Sequence, residues 1–298
     1  MSGPLVESCE LTKRYGRVRA LENCTLEVER GEVFGLLGPN GSGKTTFLRL
    51  LLGFLRPTAG WARIGKLDSY KDAVAVHRMV SYMPGEARLF PHMRGRDCLK
   101  FFADIHPAGD FERSLKFSER LGLDLTRRVL FCSSGMRQKI ALVATLAPHT
   151  PLAILDEPTS NLDPTARSEV LKIVQEAQGS GRTIIFSSHI LPEVERVCDR
   201  AAILRFGSLV HVQPIHDLRR QHRLHLRSPE PLPPVPEALR EGLIVQENGD
   251  CGVTLQTPGE LSSLLGWLAS LKLEEMRVEP IGLQAVYDRF HSPEPEAA

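Results

Sequence analysis

Gly38-Pro39-Asn40-Gly41-Ser42-Gly43-Lys44-Thr45 decides the fold of this chain. The stretch fits G-x-x-x-x-G-K-[ST]. It stands between an apolar run, Glu32 to Leu37 (EVFGLL), and a helical pattern, Lys44 to Leu52 (KTTFLRLLL). A buried strand, a glycine-rich turn and a helix start, in that order, make a cradle for phosphate groups. The glycines let backbone N–H groups turn inward, Lys44 reaches the β- and γ-phosphates, and the Thr45 hydroxyl can ligate Mg²⁺. A bare glycine turn is the bland alternative, and the flanking strand and helix argue against it. Gly38 to Thr46 are therefore the expected nucleotide contacts.

Working outward, further buried-strand patterns fall at Leu152–Leu155, Thr183–Phe186 and Ala201–Leu204. Helical patterns near 134–147, 164–178 and 190–198 separate them, an alternation that predicts an α/β fold with a mostly parallel sheet. Leu152-Ala-Ile-Leu-Asp156-Glu157-Pro158 ends an apolar strand in two adjacent carboxylates. A parallel sheet delivers such acids to its carboxyl edge, beside the phosphate loop. Asp156 can then serve the Mg²⁺ shell, and Glu157 can orient or deprotonate a water on the γ-phosphate. An apolar strand followed by two acids says little alone; with a phosphate loop upstream it reads as the second half of a nucleotide-hydrolysing site.

Between 86 and 147 the strand signal fades and only helical pattern remains, which predicts a helical insertion. The stretch SPEPLPPVP over 228–236 is too rich in proline for a helix or a central strand. The expected division is a first domain over 1–218, a connecting segment and first strand over 219–227 and the proline-rich loop over 228–236. A small α+β domain over 237–290 and a disordered tail over 291–298 follow. Within that second domain LIVQE, GVTLQ and MRVE read as strands, and PGELSSLLGWLASLK and GLQAVYDRF as helices.

The 298 residues leave ample material for two cores. Thirty-seven Lys and Arg against 36 Asp and Glu give +1, so bulk charge points to neither nucleic acid nor an anionic membrane surface. Six scattered cysteines without a C-x-x-C pair suit a reducing compartment rather than a zinc site or disulfide framework. The N-terminal stretch is too acidic for a signal peptide, and no apolar run approaches the ~18 residues of a membrane span.

Over about residues 5–210 the chain resembles the nucleotide-binding subunit of an ATP-binding-cassette (ABC) transporter. Cys132-Ser133-Ser134-Gly135-Met136, followed by Arg137-Gln138-Lys139, resembles the family signature Leu-Ser-Gly-Gly-Gln at Ser133 and Gly135 and departs from it at the other three places. Ser133 also opens a helix, where a hydroxyl and free N–H groups favour an anion. Ser160-Asn161-Leu162-Asp163 resembles the family's D-loop, and Ser187-Ser188-His189 its switch histidine, a γ-phosphate sensor. Tyr15 resembles the aromatic residue that stacks on adenine. Tyr82-Met83-Pro84 is followed by Gly85 and Glu86 where the family usually has Gln, and Gly85 is expected to be a hinge using backbone angles open to glycine.

The resemblance implies a P-loop NTPase ABC ATPase core with a helical subdomain, binding ATP and Mg²⁺. Catalytic roles fall to Glu157 and His189, nucleotide contacts to Tyr15, Gly38–Thr46, Ser133 and Gly135, and metal contacts to Thr45 and Asp156. It further implies a second ATPase protomer and a separate membrane permease, with no nucleic acid. The chain would sit at the cytoplasmic face of the membrane, held there by the permease, with export as the expected direction. The other class weighed is a soluble ABC ATPase acting on ribosomes or DNA. A GTPase would show Asn-Lys-x-Asp, which is absent.

Overall fold

The computed structural model describes residues 3–229, 233–240, 243–247, 252–257 and 261–291. It divides into two compact units, Met1–Gln213 and Pro214–Ala298. The elements of the first unit are β1 (Val6–Tyr15), β2 (Val18–Val28), β3 (Val33–Leu37), α1 (Lys44–Leu51), β4 (Ala59–Ile64), β5 (Leu67–Asp68), α2 (Ala73–Met79) and β6 (Val80–Met83). They continue with α3 (Gly95–Ile105), α4 (Phe111–Arg120), α5 (Ser134–Leu146), β7 (Leu152–Asp156), α6 (Pro164–Gly179), β8 (Thr183–Ser188), α7 (Leu191–Val197), β9 (Arg200–Arg205) and β10 (Ser208–Pro214).

One ten-stranded sheet runs β5-β4-β1-β2-β10-β9-β3-β8-β7-β6. Its β9-β3-β8-β7-β6 portion is parallel, in register from Val33 opposite Ile184 to Asp156 opposite Ser187. Every residue of β3, β7 and β8 is buried, as expected for strands covered on both faces. Phe34, Phe47, Leu48, Leu51, Ile154 and Ile185 share one core, so α1 is clamped against the strands that carry the site.

The parallel strands carry an antiparallel extension that the sequence reading did not foresee. The β5-β4-β1-β2 portion is antiparallel throughout. Its first hairpin hides from a period-two reading because the β1–β2 register shifts between Ser8 and Leu11 and twice more beyond it. Glu10 and Asn23 take positive φ there, of 47° and 46°. An inserted residue of this kind swaps the inward and outward faces downstream.

The stretch 86–147 holds α3, α4 and α5 and no strand among its elements. Asp110 caps α4, its Oδ1 accepting from Arg113 N at 2.9 Å.

The second unit comprises α8 (Ile215–Arg220), β11 (His222–Arg227), β12 (Ile244–Glu247), β13 (Gly252–Thr257), α9 (Ser262–Leu268), β14 (Glu275–Pro280) and α10 (Leu283–His291). Its four strands form an antiparallel sheet in the order β12-β13-β11-β14. Leu224, Leu226 and Leu255 pack with Leu264 and Leu268 of α9. The unit begins at Pro214, a few residues before the boundary expected after 218, because α8 packs against β14 and buries Ile215 and Leu218. The expected disorder of the tail falls on 292–298, outside the described residues, as does part of the proline-rich loop.

Candidate functional site

The loop between β3 and α1 closes on its own lysine. Lys44 Nζ donates to Gly38 O at 2.6 Å and Pro39 O at 3.3 Å, and lies 3.7 Å from Glu157 Oε1. Burial holds the Lys44 ammonium below its ordinary pKa, and the carboxylates of Glu157 and Asp156 pull it partly back up. Gly38 has φ 153°, and a Cβ there would collide with Leu204 O and Ser42 Oγ, so the turn admits glycine alone. The first bond of α1 runs from Phe47 N to Gly43 O at 2.9 Å. The N–H groups of Lys44, Thr45 and Thr46 therefore precede the helix's own ladder and are available to an anion. A cleft of about 270 Å³ opens here, lined by Val18, Arg19, Ala20, the loop from Pro39 to Thr46, Asp156 and Glu157.

β7 brings its acids to the same place. Thr45 Oγ1 donates to Asp156 Oδ2 at 3.0 Å, and Ser187 Oγ donates to Asp156 Oδ1 at 2.6 Å. Glu157 sits at the strand end with φ 50°, its N–H held by Ser187 Oγ at 3.0 Å. His189 Nδ1 meets Glu157 Oε2 at 2.7 Å, while Glu157 Oε1 is buried without a hydrogen-bond partner. A carboxylate fixed at one oxygen by His189, with the other 3.7 Å from the phosphate-loop lysine and beside the cleft, can serve as a proton acceptor.

Thr45 and Asp156 also pass a chemical test for Mg²⁺. Hydroxyl and carboxylate oxygens are the hard donors this ion prefers, and phosphate and water oxygens complete such sites in phosphate-loop proteins. Among the described residues no group of three or more His, Cys, Asp or Glu is placed to hold a metal ion by itself.

The signature residues lie apart from this cleft. Ser133 caps α5, its Oγ accepting from Met136 N at 3.2 Å. A Cβ on Gly135 would come within 2.8 Å of Asn161 O, so the start of α5 rests on the loop after β7. Neither residue lines the cleft around Lys44. Tyr15 is 49% exposed at the end of β1, with Lys13 Nζ over its ring at 5.1 Å. Its strand partner Val18 lines the cleft and Tyr15 does not.

Gly85 departs from expectation, since its φ lies outside the left-handed region and its backbone does not require glycine. A Cβ there would make ordinary contact with Asp156 Oδ2 at 3.7 Å. Glu86 is exposed and faces Arg88 at 3.8 Å.

Three residues escaped the sequence reading. Gln138, buried on α5, directs Nε2 to Glu157 O at 3.1 Å and to Pro158 O and Ser160 Oγ at 3.2 Å. Glu193, buried on α7, accepts from Thr159 Oγ1 at 2.6 Å and Ser188 Oγ at 3.3 Å, tying the loop after β7 to the strand end before His189. Ser187 was visible only as a neighbour of the histidine. A polar residue inside an otherwise apolar run was the available signal.

Comparison with known proteins adds independent findings. A family model described as ABC transporter matches residues 21–160. The daunorubicin resistance ATP-binding protein DrrA3 of Streptomyces coeruleorubidus is 36% identical over 203 residues, covering 66% of this chain and 64% of that protein. The ABC transporter ATP-binding protein NatA of Bacillus subtilis is 32% identical over 212 residues, covering 69% of this chain and 86% of that protein. A solved structure of an ATP-binding subunit of an ABC transporter superposes with a TM-score of 0.66 at 29% identity, over 72% of this chain and 92% of that one. Among the described residues no helix is long and apolar enough to cross a membrane.

Proposed function

The chain belongs to the family of ABC transporter ATP-binding subunits, and from that premise we propose that it is the ATPase of an exporter whose membrane permease is a separate chain. The single observation that carries the hydrolytic role is the Glu157 carboxylate, held at 2.7 Å by His189 and 3.7 Å from Lys44 at the mouth of the phosphate loop. On this reading, the N–H groups of the loop and of the first turn of α1 bind the β- and γ-phosphates. Lys44 leaves the carbonyls of Gly38 and Pro39 to meet them. Thr45 and Asp156 hold Mg²⁺, which when bound neutralises phosphate charge. Glu157 takes the proton of the attacking water, and His189 fixes Glu157 while facing the γ-phosphate. Tyr15 stacks on the adenine.

Ser133 and Gly135 lie outside the cleft of their own chain, which supports their use in trans. Two protomers would enclose two ATP molecules, each between the phosphate loop of one and the signature of the other. Export is favoured by relatives such as the daunorubicin resistance protein and the bacitracin transport ATP-binding protein of Bacillus licheniformis. The same names favour transport over a ribosomal or DNA role. The protein would then work at the cytoplasmic face of the membrane, held by its permease.

Mixing two inactive variants tests the composite site. Lys44→Ala and Ser133→Arg, each alone, should lack turnover. Their heterodimer keeps one intact pairing of loop and signature, so the mixture should regain activity. No recovery in verified mixed dimers would mean that the signature acts in cis or that both sites must fire together.

A further inference from the structure

β14 is an outer strand of the second unit's sheet. Ile281 N bonds Gln221 O at 2.8 Å, and the same register sets Glu279 opposite Arg223, Arg277 opposite His225 and Glu275 opposite Arg227. Hydrogen-bonded pairs recur at every second residue of an antiparallel ladder, so the N–H and C=O of Glu275, Arg277 and Glu279 turn toward β11. Those of Met276 and Val278 turn toward the open edge. The side chains of Met276 and Val278 share a face with Leu226 and Leu224, whose partners are Leu264 and Leu268 of α9. Yet Met276 is 45% and Val278 39% exposed although α8 packs against β14, so the apolar face stays open at these two residues. Glu275, Arg277 and Glu279 occupy the opposite face.

We infer that this edge pairs with β14 of a second copy of the chain, antiparallel about a two-fold axis at Val278. The charges select the register. Centred on Arg277, the pairing would set Arg277 against itself and Glu275 against Glu279, both repulsive. Centred on Val278, it sets Arg277 of each copy against Glu279 of the other and Val278 against Val278. A centre at Met276 also opposes unlike charges, but overlaps only Glu275–Arg277, whereas the Val278 centre overlaps Met276–Pro280. In the Val278 register each Val278 N–H meets the other copy's Val278 C=O, and each Met276 N–H meets the other copy's Pro280 C=O. Pro280, lacking an N–H, ends the ladder. Arg277 Nε and Glu279 Oε1, 2.7 Å apart within one strand, exchange partners across the axis without leaving either charge unpaired. The two sheets become one, with α9 of both copies on the same face.

A single edge strand buries less than the ~1,200 Å² of a standard interface, so the contact is weak by itself and is best read by trapping. The full-length Val278→Cys variant, without nucleotide, should form a disulfide-linked dimer under mild oxidation. Its Cα atoms would be about 5.5 Å apart, within the range a disulfide spans. The wild-type chain, with its own cysteines, sets the background. Adding Arg277→Glu or Glu279→Arg should each slow the cross-link roughly tenfold, because both cross-strand pairs turn repulsive. Mixing those two variants should restore it, since each copy then presents a single sign of charge to the other. Circular dichroism identical to the parent's confirms that each variant is folded. Cross-linking at background rate, or a rate indifferent to the charge changes, would overturn the pairing. Because nucleotide is absent, either result leaves the ATP-driven dimer of the proposed function untouched.

Discussion

Replacing Gln138 by Ala removes the tie between α5 and the loop after β7. The Gln138 amide has two protons and lies 3.1–3.2 Å from three acceptors, Glu157 O, Pro158 O and Ser160 Oγ. Two bonds' worth of donation is therefore lost at a site where the side chain is 3% exposed and water cannot readily substitute. At about 1–1.5 kcal/mol for each buried bond, the change costs about 2–3 kcal/mol of stability. The effect on catalysis is more specific. Glu157 holds a left-handed φ of 50°, a conformation that persists only while its surroundings enforce it. Freed on one side, the carboxylate should wander from its position between His189 and Lys44 and lower kcat about tenfold. The phosphate loop does not touch Gln138, so KM for ATP should stay within about threefold. Denaturant unfolding and steady-state ATP turnover on the same preparation measure both. A stability loss under about 0.5 kcal/mol with unchanged kcat would refute the tie.

Lys44→Ala should abolish turnover and weaken ATP binding roughly 10- to 100-fold, as expected for losing a charged hydrogen-bonding partner of the phosphates; equilibrium titration with ATP checks this, and unchanged binding would contradict the loop assignment. Arg120→Gln should lower stability at neutral pH by under about 1 kcal/mol, because the Glu176 partner at 2.7 Å is exposed and Arg120 and Glu169 are only half-buried. The Arg120 hydrogen bonds hold both carboxyls below the ordinary glutamate value, so this contribution is present above that value and fades as pH falls through the lowered native ones. Unfolding curves of the two proteins should therefore converge in acid; a difference that grows as pH falls would be contrary.

The phosphate-loop half of the candidate site was legible because its residues are written contiguously. Gly38–Thr45 and Asp156–Glu157 each carry strand, turn and functional atoms within a few residues, and β3 and β7, one on each side of β8, bring the two runs within 3.0 Å at Thr45 and Asp156. Gln138 and Glu193 were illegible for the opposite reason. Their roles arise only when α5 and α7 pack on the loop after β7, and a lone polar residue in a helix announces nothing about which carbonyl or hydroxyl it will find. The first hairpin failed differently. The positive φ at Glu10 and Asn23 breaks the alternation that identifies a strand, although Leu11, Leu21 and Leu26 remain buried. Gly85 shows the reverse hazard. A glycine at a place where its family has a side chain suggested special backbone angles, and the structure gives it ordinary ones beside Asp156.

Whether Glu157 is the base of an ATP-closed dimer is tested most directly by Glu157→Gln under saturating Mg-ATP. The substitution keeps the shape and the reach to His189 but removes the proton acceptor. Turnover should fall roughly 10²–10⁴-fold, the worth of a positioned base, while ATP binding persists. Sedimentation should show the variant accumulating as an ATP-bound dimer that the wild type only visits. Turnover near the wild-type rate would contradict the catalytic assignment, and a monomer at saturating Mg-ATP would contradict closure between two copies of this chain.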